Sequence, residues 1–247
     1  MTPYNGDMTK PTKTAKPRAV PPVRRKGAIG VPAKKTAAKK AAGDQSPYHH
    51  GDLRGALLKA AEMVLERDGL QGLTLRAVAR EAGVSHAAPT HHFGDLIGLV
   101  SELAAVGFRR FNAAMRAAGE TGTTPMESAL ARATAYLAYA RARPGMYKLM
   151  FSTERLDMTR PALREAAEAS FAGLASVVGT QHSGNVATDD LTPDQAAHIA
   201  RTWSLVHGFT MLTIDGRLVD ILRRLPDGAD AETLFIEMLK ITVARKD

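Results

Sequence analysis

Cysteine is absent from the 247 residues, which excludes disulfides, thiolate nucleophiles and thiolate-bound metals and fits a reducing compartment such as the cytoplasm. Long hydrophobic runs are missing too. The longest uncharged, apolar-leaning stretch, residues 202–214, is too short to span a bilayer, so no membrane partner is expected. The opening residues are polar and rich in Lys and Pro, without the apolar segment of a secretory signal. The chain also lacks a nucleophile elbow, a phosphate-cradling glycine loop, an HExxH pair and a catalytic pair of carboxylates. No enzyme, no cofactor and no metal is therefore expected. Asp189 and Asp190 sit in a polar stretch where a solvated turn accounts for them. With no strand-like alternation longer than a few residues and no internal repeat, the expected fold class is all-α.

What is present begins with positive charge, unevenly placed. The formal net charge is +8, yet residues 1–47 hold eleven Lys or Arg against two Asp, while the remainder holds 22 basic and 23 acidic residues. The same segment carries seven of the thirteen prolines and the run AKKTAAKKAA at 33–42. Such a stretch cannot bury enough apolar surface to order itself, so 1–47 is expected to be a disordered basic tail. Its charge suits an arm that follows DNA phosphates, and equally suits a solubilising extension.

Residues 74–93, TLRAVAREAGVSHAAPTHHF, carry the sharpest local pattern. Thr74 stands where a helix N-cap belongs, and Leu75, Val78, Ala79 and Ala82 recur at three- and four-residue spacing. Ala79 is small where a second helix must cross, Gly83 suits the positive φ of a tight elbow, Val84 plugs the corner, and Ser85 is placed to cap a second short helix. The spacing predicts a helix-turn-helix whose second helix presents His86 and Ala87 outward, its N-terminus facing phosphate. An earlier amphipathic helix is expected over about 52–67, on Leu53, Leu57, Ala60, Ala61, Val64 and Leu65, ending at Gly69. A long helix follows over 95–118. Further helices are expected over 125–143, 145–152, 160–178, 193–215 and 231–244, with loops at 119–125, 179–192 and 225–230.

Taken together, YHHGDLRGALLKAA at 48–61, the helix-turn-helix and HHFGDLIGL at 91–99 resemble the TetR (tetracycline-repressor-type) family of bacterial transcription regulators. The segment RTWSLVHGF, with Trp203, His207 and Gly208, is similar to a subgroup with a Trp, His and Gly signature in the second domain. The resemblance implies a helix-turn-helix domain at 48–94 and a helical ligand-binding and dimerisation domain at 95–247. It also implies a homodimer joined through the last two helices, bound to double-stranded DNA at an inverted-repeat operator as a repressor and released by a small apolar effector. Carried onto this chain, Thr74 and Ser85 touch phosphate, His86, Ala87 and Thr90 lie against base edges, and His91 and His92 sit near the backbone. Thr90, Pro89 and Leu96 depart from the family pattern, which more often has Tyr, an aliphatic residue and Lys; the last departure removes a phosphate contact.

Five histidines, His49, His50, His86, His91 and His92, fall within 44 residues, but without a cysteine partner and with adjacent pairs they suit DNA contact or plain surface better than a metal. In the second domain Tyr147, Met150, Phe151, Phe171, Trp203, His207 and Met211 are the residues suited to line an effector cavity. His207 is expected to be a buried, hydrogen-bonded histidine, with Trp203 one turn away on the same face. Two other functions stay open at this point: an architectural DNA-binding protein driven by the tail, and a helical enzyme or carrier with a vestigial reading head.

Overall fold

Asp52, Thr74, Asp95, Thr124 and Thr192 each stand just before a helix, and each side chain accepts an amide hydrogen from three residues on. Every such cap satisfies one of the N–H groups that a helix start leaves without a carbonyl. Thr124 and Thr192 complete capping boxes with Glu127 and Gln195, and Pro125 and Pro193 take first-turn positions where a missing N–H costs nothing. In the computed structural model, which describes residues 52–181, 186 and 188–244, every regular element is helical. The helices are α1 Leu53–Gly72, α2 Leu75–Glu81, α3 Ala87–Phe93, α4 Leu96–Gly119, α5 Pro125–Ala142, α6 Pro144–Met150, α7 Pro161–Gln181, α8 Pro193–Ile214, α9 Val219–Leu222 and α10 Ala231–Ala244. The basic tail, with His49 and His50, lies outside the described residues.

The all-α expectation holds, and most helices fall where periodicity puts them. Three local differences have physical reasons. Gly69 does interrupt α1 (φ 68°, ψ −175°), but one more turn follows to Gly72. A 3-10 turn at Thr153–Arg155 and the one-turn α9 are too short to show any periodicity in sequence. Ser85 does not cap α3 with its side chain. His86 holds that position with a backbone already helical (φ −60°, ψ −21°), and Ser85 offers its carbonyl to Ala88 N at 3.0 Å. The chain thus enters α3 through a tight turn rather than the extended residue a hydroxyl cap requires.

One apolar cluster runs unbroken from α1 to α7, joining Leu57, Val64, Val78, Phe93, Leu99, Leu103, Phe108, Met146 and Leu163. A second, built on Leu137, Val206, Phe209, Leu218 and Phe235, ties α5 to α8 and α10, and a third joins Ala175, Val178 and Ile199 of α7 and α8. Two close approaches set the geometry. A Cβ on Gly98 would lie 2.0 Å from the Phe93 carbonyl oxygen, and one on Gly107 would lie 2.7 Å from the Met146 sulfur. Glycine at 98 therefore lets the start of α4 abut the end of α3. Replacing it, Gly98→Ala, is expected to force the two helices apart and cost about 1–3 kcal/mol; urea denaturation measures it, and an unchanged midpoint would contradict the contact.

Candidate nucleic-acid interface and effector core

In the reading head Val78 and Ala79 are both fully buried, and Val78 shares the apolar cluster of Leu57 and Val64 of α1, while Gly83 turns the chain. Gly83 adopts φ 67°, and Val84 N donates to the Ala79 carbonyl at 3.0 Å, closing the end of α2. On α3 the buried residues are Pro89 and Phe93, with Ala88 and His92 half-buried. That spacing turns His86, Ala87, Thr90 and His91 to solvent as one face. Pro89 sits in the first turn, so its missing N–H deprives the helix of nothing. Thr74 is exposed at the start of α2, its hydroxyl taken up by Ala77 N at 3.1 Å.

Three side chains fix the helices of the reading head, and one of them, Arg54, reaches α3 itself. The Arg54 guanidinium lies 5.5 Å from the Phe93 ring centre and pairs with Glu102 at 2.7 Å, so α1 bridges α3 and α4. Asp95 caps α4 through Gly98 N at 2.7 Å. Arg67 joins the end of α1 to Glu81 of α2 at 2.8 Å. Among the described residues α3 itself carries no Lys or Arg, and Leu96 and Ile97 at the start of α4 are exposed.

Residues 57–103 match the model for bacterial regulatory proteins of the tetR family, and residues 129–240 match that for the tetracyclin repressor-like C-terminal domain. A Rhodococcus protein of unknown function is 35% identical over 82% of this chain and 98% of its own, with a TM-score of 0.63. The chain belongs to the TetR family. It is a DNA-binding transcription regulator, with the helix-turn-helix as its reading unit. Two regulators, the first of them described as a TetR family member, share the fold at lower identity. PfmR from Thermus thermophilus is 16% identical over 77% of this chain and 98% of its own, TM-score 0.53. FadR from Bacillus subtilis, determined in complex with stearoyl-CoA, is 13% identical over 77% and 98%, TM-score 0.57. No curated protein matches the chain.

In the C-terminal part of this TetR-family chain, rings from four helices meet. Phe111 packs edge-on to Tyr136 at 4.9 Å, Tyr136 to Tyr147 at 5.7 Å, and Phe151 to His207 at 4.6 Å, while Trp203 lies 6.0 Å from His207. Inside them is a polar triangle: Tyr147 OH to His207 Nδ1 at 2.7 Å, Tyr136 OH to the same nitrogen at 3.0 Å, and the two hydroxyls 2.9 Å apart, with the Trp203 indole N–H also donating to Tyr136. Burial pushes the Tyr136 phenol up to about 12 and the Tyr147 phenol higher still, helped by Tyr136. Burial also lowers the His207 pKa, so the ring is held neutral. Two hydroxyl hydrogens need acceptors here, and only a deprotonated Nδ1 lets both find one; the proton therefore belongs on Nε2.

Of the seven residues proposed for the cavity, Tyr147, Phe151, Trp203 and His207 come together in this way. Met150 instead faces Gly107 of α4, and Phe171 packs with Ala175, Val178 and Ile199. Met211 is half-buried one turn beyond His207. Tyr136 escaped the sequence reading because it is 71 residues from His207; its only signal was the Tyr136–Tyr139 pair on an otherwise alanine-rich helix. An open cleft of about 550 Å³ is lined by Arg141, Pro144, Thr213, Ile214, Leu222, Ala229, Asp230 and Ala231, none of them a ring of this cluster and none of them expected to line a cavity. No group of three or more His, Asp or Glu among the described residues is arranged to hold a metal.

A folded His207 that resists protonation makes stability depend on pH in one direction. The unfolded ring titrates near its ordinary value of 6.5, so the contribution of neutral burial is complete above that value and is lost as pH falls below it. His207→Gln should flatten this decline relative to the parent between about pH 7.5 and 5.5. Urea midpoints across that range test it, and parallel curves would show that folding leaves the His207 pKa unchanged.

Proposed function

We propose that the chain is a repressor that binds an inverted-repeat operator as a homodimer and leaves it when a small apolar molecule binds the C-terminal domain. The observation that carries the reading is the outward face of α3: four exposed side chains on a short helix, set at a glycine elbow and held by Arg54 and the Gly98 contact. His86, Ala87 and Thr90 are assigned to base edges, Thr74, Ser85, His91 and His92 to the sugar-phosphate backbone. Two-fold symmetry in the protein requires two-fold symmetry in the site, with half-sites spaced as the heads are. The dimer interface is assigned to α8 and α10, where Leu212 and Ile241 are exposed apolar residues on otherwise packed helices.

Release follows if the effector binds one spacing of the heads better than another, which shifts the population away from the DNA-compatible one. The four converging residues Tyr147, Phe151, Trp203 and His207 are the assigned effector contacts; Met150, Phe171 and Met211 were candidates whose positions supply less. FadR, determined in complex with stearoyl-CoA, supports the idea that this fold takes an effector carrying a long apolar chain.

Selection of bound duplexes from a random pool tests the head. A discrete palindrome is expected, and exchanging His86, Ala87 and Thr90 together should change or abolish the selected sequence while the protein stays folded; unaltered selection contradicts the assignment. The tail has its own test. Because α3 has no Lys or Arg, the basic residues of 1–47 are assigned as the main extra phosphate contacts. Binding by the full chain should fall more steeply with salt than binding by a version starting at Ser46, and equal slopes would remove the tail from the mechanism.

A further inference from the structure

The notch that Gly98 leaves is filled by a side chain from the C-terminal domain. A Cβ at 98 would meet the Arg160 guanidinium as well as the Phe93 carbonyl, 2.6 Å from Nη2 and 3.1 Å from Cζ. Arg160 stands just before α7, in the segment that follows α6 and the 3-10 turn. Two guanidinium groups thus meet at the corner of α3 and α4, since Arg54 of α1 already stacks on the Phe93 ring.

The turn that carries Arg160 is fixed at its base. Asp157 N donates to Ser101 Oγ at 2.9 Å, and Ser101, fully buried, lies three residues beyond Gly98 on the same face of α4. The Asp157 carboxylate accepts from Thr159 N at 3.0 Å and from the Thr159 hydroxyl, and Arg160 N donates to the Asp157 carbonyl at 3.2 Å. Arg164 N closes on the Arg160 carbonyl at 3.0 Å, and Leu163 and Ala166 then join the apolar cluster of Phe93 and Leu99. The guanidinium itself is poorly paid in hydrogen bonds. Its Nε is buried without a hydrogen-bond partner among the described residues, and its ion pair with Asp157 is loose, at 3.5 Å and one-third exposed. Such a pair adds little to stability, and a buried donor left unmet subtracts from it. Folding stability alone therefore does not account for an arginine here.

We infer that Arg160 is a positioning residue for DNA reading: seated in the Gly98 notch, it braces the α3–α4 corner from the C-terminal domain and sets the angle at which α3 meets base edges. The inference rests on the assignment of His86, Ala87 and Thr90 to those edges. A helix of seven residues does not hold its own orientation, and hydrogen bonds to bases fail when a side chain is displaced by more than a fraction of an ångström. Phosphate attraction is more forgiving, because it acts over several ångströms. Placement therefore affects the preferred duplex far more than any other. The planar fork of arginine fills the notch in a way that the single ammonium of lysine does not.

The full chain, Arg160→Gln and Arg160→Lys are compared for Tm and for affinity to the duplex selected above and to a scrambled duplex of equal length, across a range of salt. Arg160→Lys keeps the charge and so separates placement from electrostatics. Both variants should bind the selected duplex about five- to ten-fold more weakly, while their affinity for the scrambled duplex and their salt slope stay those of the parent. A loss shared equally by the two duplexes, with a shallower slope in Arg160→Gln, marks a direct phosphate contact and overturns the proposal. A lower Tm with an unchanged ratio of the two affinities marks a purely structural residue and overturns it too. If Arg160→Gln does not fold, the ratio in Arg160→Lys decides alone. The assignment of α3 fails separately: a pool without a preferred duplex, or selection unaltered by exchanging His86, Ala87 and Thr90, removes both readings. Selection altered by that exchange, with the parent's ratio kept in the Arg160 variants, removes the brace alone.

Discussion

The contact between the end of α3 and the start of α4 governs everything the reading head does. Only a residue without a side chain fits at 98, against the Phe93 carbonyl, and Arg54 locks the same corner by stacking on Phe93 while pairing with Glu102. An exposed salt bridge alone contributes little, on the order of 0–1 kcal/mol. Here its value is geometric: it fixes which face of α3 is buried, and so which face is outward. A seven-residue helix has too few internal hydrogen bonds to hold its own orientation. Its neighbours decide it.

The head is not mechanically separate from the effector part. The Glu66 carboxylate, near the end of α1, accepts from the first amides of α6, Gly145 N at 3.1 Å and Met146 N at 2.8 Å. It fills the place of a cap for a helix whose own N-cap, Arg143, makes no side-chain bond. Ser101 of α4, fully buried, accepts from Asp157 N at 2.9 Å beyond the end of α6. Helix α6 is thereby tied at its start to α1 and just after its end to α4, and its middle carries Tyr147. A shift of Tyr147 relative to α8 would have to be taken up at one of those two ties, both of which lead to the head. Differential stability of such arrangements is what ligand-linked release requires.

The buried tyrosine–histidine triangle combines stability with a chemical bias. Three polar atoms satisfy one another without a charge, which is the least costly way to keep hydrogen-bonding groups in an apolar interior. The same closure fixes the His207 tautomer and leaves its other nitrogen as a donor toward whatever lies outside the triangle. A protonated imidazole would have no counter-charge there, consistent with the lowered pKa that burial imposes.

The amino-acid order by itself determined the helices and the elbow, because caps, glycine punctuation and apolar spacing act over three or four residues and need no partner elsewhere. Thr74, Gly83 and the outward His86 and Ala87 were legible for that reason, whereas Thr90 and His91 were reached through the likeness of 48–61 and 91–99 to a regulator family. Ser85 was misread because a cap depends on the hydroxyl reaching an amide two or three residues on, and the turn into α3 puts Ala88 N on the Ser85 carbonyl instead. What only the tertiary structure decided are contacts between residues far apart in the chain: Tyr136 with His207, Glu66 with the amides of α6, Gly98 with Phe93, and the separation of Phe171 from the ring cluster. Hydrogen bonding and close packing are short-ranged forces, so which distant side chains satisfy one another is fixed only when the helices have been laid side by side.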